Sequence, residues 1–224
     1  MRTDRQARPV LSNDTHGPRY DRPMVTGAVL AGGQAARFGG QDKSALVVGG
    51  HSLLHTLVER LTDLTDDVLV VGRRDAPSDV ATSTRLLEDR APGCGPLGGL
   101  DTAMAHARYD TVVLVACDMP YVTVPLLAHL AALIHRSSGT HVMDAVVPRT
   151  QRGYHPLCAA YRRTCHDAVI GRLADRRLRM KGLLEDLRVK DVSRDELMEF
   201  GDPDRLLTNI NTAQDYDALL RYRL

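Results

Sequence analysis

The chain has 224 residues, of which 43% are hydrophobic and 25% charged, and this suits one large globular domain or one domain with a tail. Its formal net charge of +1 gives no overall field that would attract nucleic acid or a membrane surface. Two Phe, seven Tyr and no Trp leave few stacking platforms for single-stranded nucleic acid, and no apolar run approaches the roughly 20 residues of a membrane helix.

The N-terminal segment is polar and rich in arginine. Residues 1–23 contain no apolar stretch of the kind found in a secretory signal, so we expect a disordered or loosely held tail before a domain at 24–224. The four cysteines, Cys94, Cys117, Cys158 and Cys165, form no CxxC pair, which predicts a reduced, cytoplasmic protein without a zinc site.

The first predicted element is a buried strand, Val25 to Leu30, that leads into a glycine-rich loop. Backbone N–H groups in such a loop can point at anions, and Arg37 and Lys43 add positive charge. The glycines allow the backbone to approach a ligand closely, and they are Gly32, Gly33, Gly39 and Gly40. A strand followed by such a loop is typical of α/β proteins that bind nucleotide phosphates beyond the carboxyl ends of their strands.

Two familiar phosphate loops are excluded. A P-loop requires a second glycine directly before the lysine, but Asp42 precedes Lys43. The dinucleotide motif G-x-G-x-x-G is also absent, because Gly32 and Gly33 are adjacent. The pattern that remains, L-A-G-G-x-x-x-R-x-G-x-x-x-K, resembles the signature of nucleotidyltransferases that activate sugars, isoprenoid precursors and pterin cofactors.

Strand-like and helix-like segments then alternate along the chain. The predicted strands after the loop are 45–48, 67–72, 84–89, 112–115, 144–148 and 156–161. The predicted helices are 53–64, about 100–107, 126–134, 164–174, 180–187 and one beginning at Thr212. This alternation predicts a three-layer α/β/α fold with a mainly parallel, Rossmann-like sheet.

Asp118 follows the most apolar strand directly, in A-C-D-M-P. A carboxylate at that strand end can hold Mg²⁺, which prefers oxygen ligands and binds through carboxylates and substrate phosphates. The alternative is a turn aspartate before proline. The glycine loop upstream favours the metal role.

Other polar residues have two interpretations each. Of Glu88 and Asp89, one would face the site and accept N–H groups of guanine, or it would cap the next helix. The loop Gly93–Gly99 would approach a base or ribose. His155 would contact the acceptor or shape a turn, whereas the helical histidines, with His51 and His55 among them, are expected at the surface. The basic stretch 162–190 is interpreted first as a solvated helix face and second as a surface for an anionic acceptor.

Four stretches together resemble one family, the molybdenum cofactor guanylyltransferases, over about residues 25–222. The stretches are LAGGQAARFGGQDK, LLEDRAPGCGPLGGL, VACDMPYV and NINTAQDY, and GYHPLCAAYRR resembles the family's acceptor-side strand. The resemblance implies a fold of the nucleotide-diphospho-sugar transferase type in a single nucleotidyltransferase domain. Its nucleotide-binding part would cover about 24–120 and its acceptor-binding part about 121–224.

The resemblance also implies residue roles. The expected nucleotide contacts are Leu30, Ala31, Gly32, Gly33, Lys43, Asp89 and Asp118. The expected catalytic residues are Arg37, Lys43 and Asp118, with Asp118 also binding Mg²⁺. The acceptor contacts would be His155, Asn209 and Asn211. One departure concerns Gly72, which follows the second strand where the family often has asparagine.

The implied reaction transfers GMP from GTP to the terminal phosphate of molybdopterin-bound molybdenum (Mo-molybdopterin), with release of pyrophosphate. Molybdopterin-delivery proteins and molybdoenzyme chaperones are expected partners. The alternatives are cytidylyl transfer to molybdopterin and nucleotidyl transfer to a sugar phosphate or phospholactate. A third is a non-catalytic GTP-binding regulator, against which the presence of both Lys43 and Asp118 argues.

Overall fold

The computed structural model describes residues 23–32, 37–38, 41–42, 46–75, 78–80, 83–137 and 142–221. The strands in these ranges are β1 (Thr26–Leu30), β2 (Arg37–Phe38), β3 (Gln41–Asp42), β4 (Val47–Val48), β5 (His51–Ser52), β6 (Asp67–Val71), β7 (Arg85–Leu87), β8 (Thr111–Ala116), β9 (Ala145–Thr150), β10 (Gly153–Tyr154), β11 (Cys158–Arg162) and β12 (Val189–Val192). The α-helices are α1 (Leu53–Leu64), α2 (Pro96–His106), α3 (Val124–Arg136), α4 (His166–Ala174), α5 (Met180–Leu183), α6 (Arg194–Leu197), α7 (Pro203–Leu206) and α8 (Ala213–Arg221). None of these helices is long and apolar enough to cross a membrane.

Eight of the strands form one central sheet in the order β10-β9-β11-β8-β1-β6-β7, with β12 paired to β9. Strands β8, β1, β6 and β7 run parallel to one another. Strand β11 is antiparallel to both β8 and β9, so the far half of the sheet is mixed. The prediction of a mainly parallel sheet is therefore confirmed.

Helices cover both faces of this sheet because its central strands are apolar on both sides. In β8, Val113 and Val115 pack with leucines of α1 and α3 on one face. Val112 and Leu114 point to the opposite face and pack with residues of α2 and α4. The two cores make the fold a three-layer α/β/α structure, as predicted.

Helix α2 begins at Pro96, four residues before the predicted start near Leu100. Two of the glycines assigned to a loop are thus helical, and they allow close packing. A Cβ on Gly98 would lie 2.7 Å from the carbonyl oxygen of Ala91, and one on Gly99 would lie 2.8 Å from Cδ2 of Leu30. These two glycines bring α2 against the end of β1, and the approach of the loop to a base or ribose stays a prediction.

The C-terminal part contains elements that the sequence did not predict, namely β12, α6 and α7. Each has only four residues, which is too short for a hydrophobic period to be recognised. The predicted start of α8 is confirmed, because the Asp215 N–H donates to the Thr212 hydroxyl over 3.1 Å. A third apolar cluster connects this end of the chain to the β4–β5 hairpin, and it contains Leu46, Val48, Leu53, Ile210 and Leu219.

Several arginines of the basic stretch 162–190 are structural. Arg172 is only 6% exposed, and its guanidinium lies 2.7 Å from the carboxylate of Asp186. Arg188 holds Asp144 with a contact of 2.8 Å, and Arg162 donates to backbone carbonyl groups at the end of α3. The first interpretation, a solvated helix face, is wrong for these residues, because each one joins separate elements. All four cysteines are buried and free, and burial raises the pKa of Cys158 to about 12.

Candidate active site

The candidate site lies where β1 and β8 end side by side. Leu30, the last residue of β1, is in register with Ala116, the last residue of β8. The N–H of Cys117 donates to the Leu30 carbonyl over 3.0 Å, which extends the pairing by one step. Gly32 and Asp118 follow immediately, so the glycine loop and the predicted metal ligand leave the same edge of the sheet. Ligands bind outside this edge in open α/β sheets.

Beside this edge, β1 and β6 approach each other closely through two glycines. The Ala31 N–H donates to the Val71 carbonyl over 2.9 Å, and Gly32 and Gly72 come next in each chain segment. A Cβ on Gly32 would lie 2.7 Å from Cα of Gly72. Gly72 has φ +93°, a conformation that favours glycine. Gly72, noted above as a departure from the family, is thus the residue that this contact requires.

Asp118 is held from two directions by the segment before α8. Its carbonyl accepts the N–H of Ile210 over 2.8 Å, and its Oδ1 accepts a hydrogen bond from Asn209 Nδ2 over 3.2 Å. Residues 91 positions apart in sequence therefore meet at the site. Asn211 lies two residues further along, where its N–H donates to the Asp215 carboxylate over 2.9 Å. The structure thus brings Asn209 directly to the carboxylate, while Asn211 stands at the start of α8.

Arg60 on α1 supports the segment that carries Asp118. Its Nη1 donates a hydrogen bond to the carbonyl of Pro120. Burial lowers the pKa of Arg60, and the neighbouring Glu59 carboxylate opposes that shift. Sequence reasoning missed this contact because a charged residue on an amphipathic helix carries no signal for a carbonyl 60 positions away.

Asp89 and Glu88 have separate roles in local structure. Asp89 Oδ1 accepts the N–H of Ala91 over 2.9 Å and lies 3.4 Å from the Thr102 hydroxyl on α2. Glu88 forms an exposed ion pair with Arg74. Asp89 is therefore the more enclosed of the two and is oriented by its own turn and by α2. Its contact with a nucleotide stays a prediction.

His155 lies in the mixed half of the sheet, after the β9–β10 hairpin. Its Nε2 is 2.8 Å from the hydroxyl of Thr150. Its pKa is lowered, first by burial and then by the positive charges of Lys181 and Arg152. The Asp204 carboxylate opposes this shift, and the contact of His155 with an acceptor stays a prediction.

Three predicted phosphate-binding residues are not described, or are described only in part, by the structure. Gly33 and Lys43 are outside the described residues, and only the backbone of Arg37, in β2, is described. Strand β2 pairs with β3 as a short antiparallel ribbon within the glycine loop. The contacts of these three residues with phosphate stay predictions.

Residues 27–191 match the family described as the MobA-like NTP transferase domain. The chain belongs to this family. The resemblance found in the sequence motifs is confirmed at that level, and the match covers both the glycine loop and the segment with Asp118.

The relatives extend over most of the chain. A protein of Burkholderia cenocepacia named molybdenum cofactor guanylyltransferase is 33% identical over 207 residues, covering 89% of this chain and 97% of its own length. A probable molybdenum cofactor guanylyltransferase of Carboxydothermus hydrogenoformans is 29% identical over 197 residues, with coverage of 88% and 95%.

Solved structures share the fold. Molybdopterin-guanine dinucleotide biosynthesis protein A from Archaeoglobus fulgidus superposes with a TM-score of 0.73 at 24% identity, covering 88% of this chain and 97% of that one. A 2-C-methyl-D-erythritol 4-phosphate cytidylyltransferase from Thermus thermophilus gives 0.61 at 16% identity, with coverage of 87% and 96%. At these identities the structural likeness shows the fold alone.

Proposed function

We propose that this protein is a molybdenum cofactor guanylyltransferase. It would transfer GMP from GTP to the terminal phosphate of Mo-molybdopterin and release pyrophosphate. The observation that carries this proposal is the Asp118–Asn209 pair next to Gly32, at the carboxyl edge of the parallel strands. The names of relatives that match along nearly their whole length support the choice of base and acceptor.

In this proposal the backbone of Leu30, Ala31 and Gly32 lines the guanine and ribose of GTP. Leu30 and Ala31 are 8% and 3% exposed, so their side chains are buried and any contact with the ligand would be made by their backbone at the edge of the sheet. Asp89 would accept guanine N–H groups, since a carboxylate has about four acceptor positions and can bind donors besides its own turn. Gly33 would contribute a backbone N–H, while Arg37 and Lys43 would bind the phosphates.

Asp118 would hold Mg²⁺. The position fits a hard cation, because the donors there are oxygens, and the hydrogen bond from Asn209 fixes the carboxylate orientation. When bound, such an ion would supply Lewis-acid chemistry to the phosphates of GTP.

The chain's own residues would act by positioning and by electrostatics, as nucleotidyl transfer requires. A terminal phosphate oxygen of Mo-molybdopterin attacks the α-phosphorus of GTP in line, and the bond from that phosphorus to the pyrophosphate oxygen breaks. Lys43, Arg37 and the loop N–H groups would stabilise the negative charge that develops on the phosphates.

The acceptor would approach from the side of β9, β10 and the segment before α8. His155 would contact the acceptor as a neutral imidazole, and the adjacent cations would attract its phosphate. Asn209 and Asn211 would contact the same ligand from the other side of the site. Molybdopterin-delivery proteins and molybdoenzyme chaperones would supply this acceptor and receive the product.

Product formation tests the proposal. Purified full-length protein is incubated with Mo-molybdopterin, Mg²⁺ and each of GTP, CTP, ATP and UTP, and pyrophosphate release and the dinucleotide product are measured. We expect turnover with GTP and at least tenfold less with the other nucleotides. Preferential turnover of CTP would assign the chain to cytidylyl transfer, and a sugar phosphate or phospholactate serving as the better acceptor would assign it to those enzymes. GTP binding without pyrophosphate release would indicate a regulator.

A further inference from the structure

A second group of metal-binding side chains lies at the N-terminus of α1. One ring nitrogen of His51, one ring nitrogen of His55 and a carboxylate oxygen of Asp79 lie within 4.8 Å of one another. The two imidazoles are stacked, with ring centroids 4.3 Å apart and an angle of 13° between their planes. His51 is exposed, as expected, but lies in β5 and not on a helix. His55 lies on α1, as expected, but its side chain is only 15% exposed.

The hydrogen bond of His55 determines which of its nitrogens can bind a metal. Nδ1 contacts the backbone carbonyl of Asp79. A carbonyl can only accept, so Nδ1 carries a proton, and Nε2 is the nitrogen that could offer a lone pair to a metal ion. Histidine ligands of metal ions are oriented in this way by a carbonyl or carboxylate on the second nitrogen.

Among the described residues, none donates a hydrogen bond to Nε2. The atom is buried and has no hydrogen-bond partner, although a Glu59 carboxylate oxygen lies 3.3 Å away. The distance between Nε2 and the Glu59 carboxylate is short enough for an ion pair, but the two groups are not oriented for a hydrogen bond. A proton on Nε2 would make this contact an ion pair, and a metal cation bound to Nε2 would satisfy the Glu59 carboxylate in the same way.

Capping alone does not account for the group. Asp79 accepts from the N–H and the hydroxyl of Ser52, the N-cap residue of α1, over 2.8 and 3.1 Å. That contact explains the position of Asp79, and it leaves carboxylate lone pairs for a further ligand. It explains neither the buried Nε2 of His55 nor the His51 ring stacked against it.

We propose that His51, His55 and Asp79 bind a divalent transition-metal ion such as Zn²⁺. Two imidazoles and a carboxylate form a donor set that suits zinc and cobalt better than magnesium. Neighbouring ligand atoms around tetrahedral zinc are about 3.3 Å apart. The lone pairs of stacked rings lie in parallel planes, so the exposed His51 ring would turn out of its stack with His55 to reach the same ion. Glu59 or water would complete the coordination. The ion would fasten the Asp79 loop to β5 and α1, and the cysteine spacing alone could not reveal such a site.

The test measures Zn²⁺ binding to tag-free, full-length protein in excess Mg²⁺, by calorimetry and by the visible absorption of bound Co²⁺. The expected result is one equivalent bound and a rise in the thermal unfolding midpoint. We expect His51→Ala and His55→Ala each to weaken binding by about tenfold or more. His51→Ala is the decisive variant, because His51 is exposed and its loss leaves the α1 cap intact.

Two controls separate this site from others. His135→Ala removes an exposed histidine on α3 and should leave the affinity unchanged. Asp118→Ala should also retain zinc, which separates this proposal from the proposed Mg²⁺ site. Absence of binding by the wild-type protein, or equal affinity in His51→Ala and wild type, would overturn the assignment.

Discussion

The two edges of the central sheet use aspartate in opposite ways. At the amino edge, Asp67 opens β6 with a fully buried side chain that accepts from the Thr26 hydroxyl over 2.7 Å, from Arg85 over 2.9 Å and from the Arg108 N–H over 3.0 Å. At the carboxyl edge, Asp118 is partly exposed and is oriented by Asn209.

The contrast supports the proposal that Asp67 serves stability and Asp118 binds a ligand. A buried carboxylate surrounded by three donors cannot turn to a ligand without leaving those donors unpaired, which is costly. A partly exposed carboxylate beside a close glycine contact has water to exchange for a cation or phosphate-bound metal. Substitutions at the two edges should therefore separate activity from stability.

The largest expected effect is on activity at Asp118. Asp118→Ala should lower kcat for GTP-dependent pyrophosphate release by about 1000-fold, by analogy with the loss of other charge-stabilising groups. The fold should persist, because the backbone bond to Ile210 remains. Steady-state kinetics at saturating Mg²⁺ and thermal unfolding measure the two properties. Wild-type activity in this variant would remove the metal role of Asp118.

The next effect is on stability at Asp67. Asp67→Asn should lower the free energy of unfolding by about 3 kcal/mol, because it leaves the Arg85 charge and its buried partners poorly matched. Asp66→Asn is the matched control, since Asp66 also contacts Arg108 but at an exposed position, and it should cost less than about 1 kcal/mol. Urea unfolding measures both free energies. At urea concentrations below its unfolding midpoint, Asp67→Asn should retain the kcat of the wild type.

The stabilisation provided by Asp67 depends on pH. Burial alone would raise the pKa of Asp67, but the hydrogen bonds from Thr26, Arg108 and Arg85 outweigh it and hold the pKa below 3.8. The stabilisation is fully present above the unfolded-state pKa and is lost as pH falls through the lower folded pKa. The stability gap between wild type and Asp67→Asn should therefore shrink below about pH 4. A gap that stays constant down to pH 3 would contradict this account.

A smaller effect is expected from the glycine contact at the carboxyl edge. Gly32→Ala would place its Cβ 2.7 Å from Cα of Gly72, and backbone atoms on both sides must shift. We expect a loss of about 2 kcal/mol in unfolding free energy together with weaker GTP binding.

The matched substitution is Gly171→Ala, because Gly171 lies within α4 and an added Cβ there meets nothing within 4 Å. That variant should gain up to about 1 kcal/mol from helix propensity. Thermal unfolding and GTP titration test both changes. Equal stability in the two variants would show that the Gly32–Gly72 contact is not restrictive.

The features that could be predicted from the sequence are those that local patterns determine. Strands β1 and β8 and helix α1 were predicted because long apolar runs and leucine spacing identify them independently of their neighbours. Gly32 and Asp118 were placed together because both directly follow buried parallel strands. The fold class follows from that alternation.

The remaining features depend on tertiary contacts. Helix α2 starts at Pro96, a residue favoured at the first helical position, while the packing of Gly98 against the Ala91 carbonyl is a tertiary contact. The bond from Arg60 to Pro120 and the approach of His55 to Asp79 join residues 60 and 24 positions apart. Such pairs emerge only when the sheet order and side-chain directions are known.

The smallest effect concerns His155 and the cations of the mixed half of the sheet. Burial first, and then Lys181 and Arg152, lower the pKa of His155 from its usual 6.5. Lys181→Ala removes one like charge and should raise that pKa, as measured by NMR titration of the imidazole. Lys190→Ala, another exposed lysine, is the control and should leave it unchanged.

The lowered pKa of His155 also predicts effects on stability and on substrate binding. Because the folded pKa is lower than the unfolded one, stability falls as pH drops below about 6.5, and Lys181→Ala should reduce this loss. The variant should also raise KM for the anionic acceptor several-fold without changing KM for GTP, since attraction to the phosphate is weakened. A change in KM for GTP alone would mean that Lys181 serves the nucleotide, and the division between a nucleotide edge and an acceptor side would then be wrong.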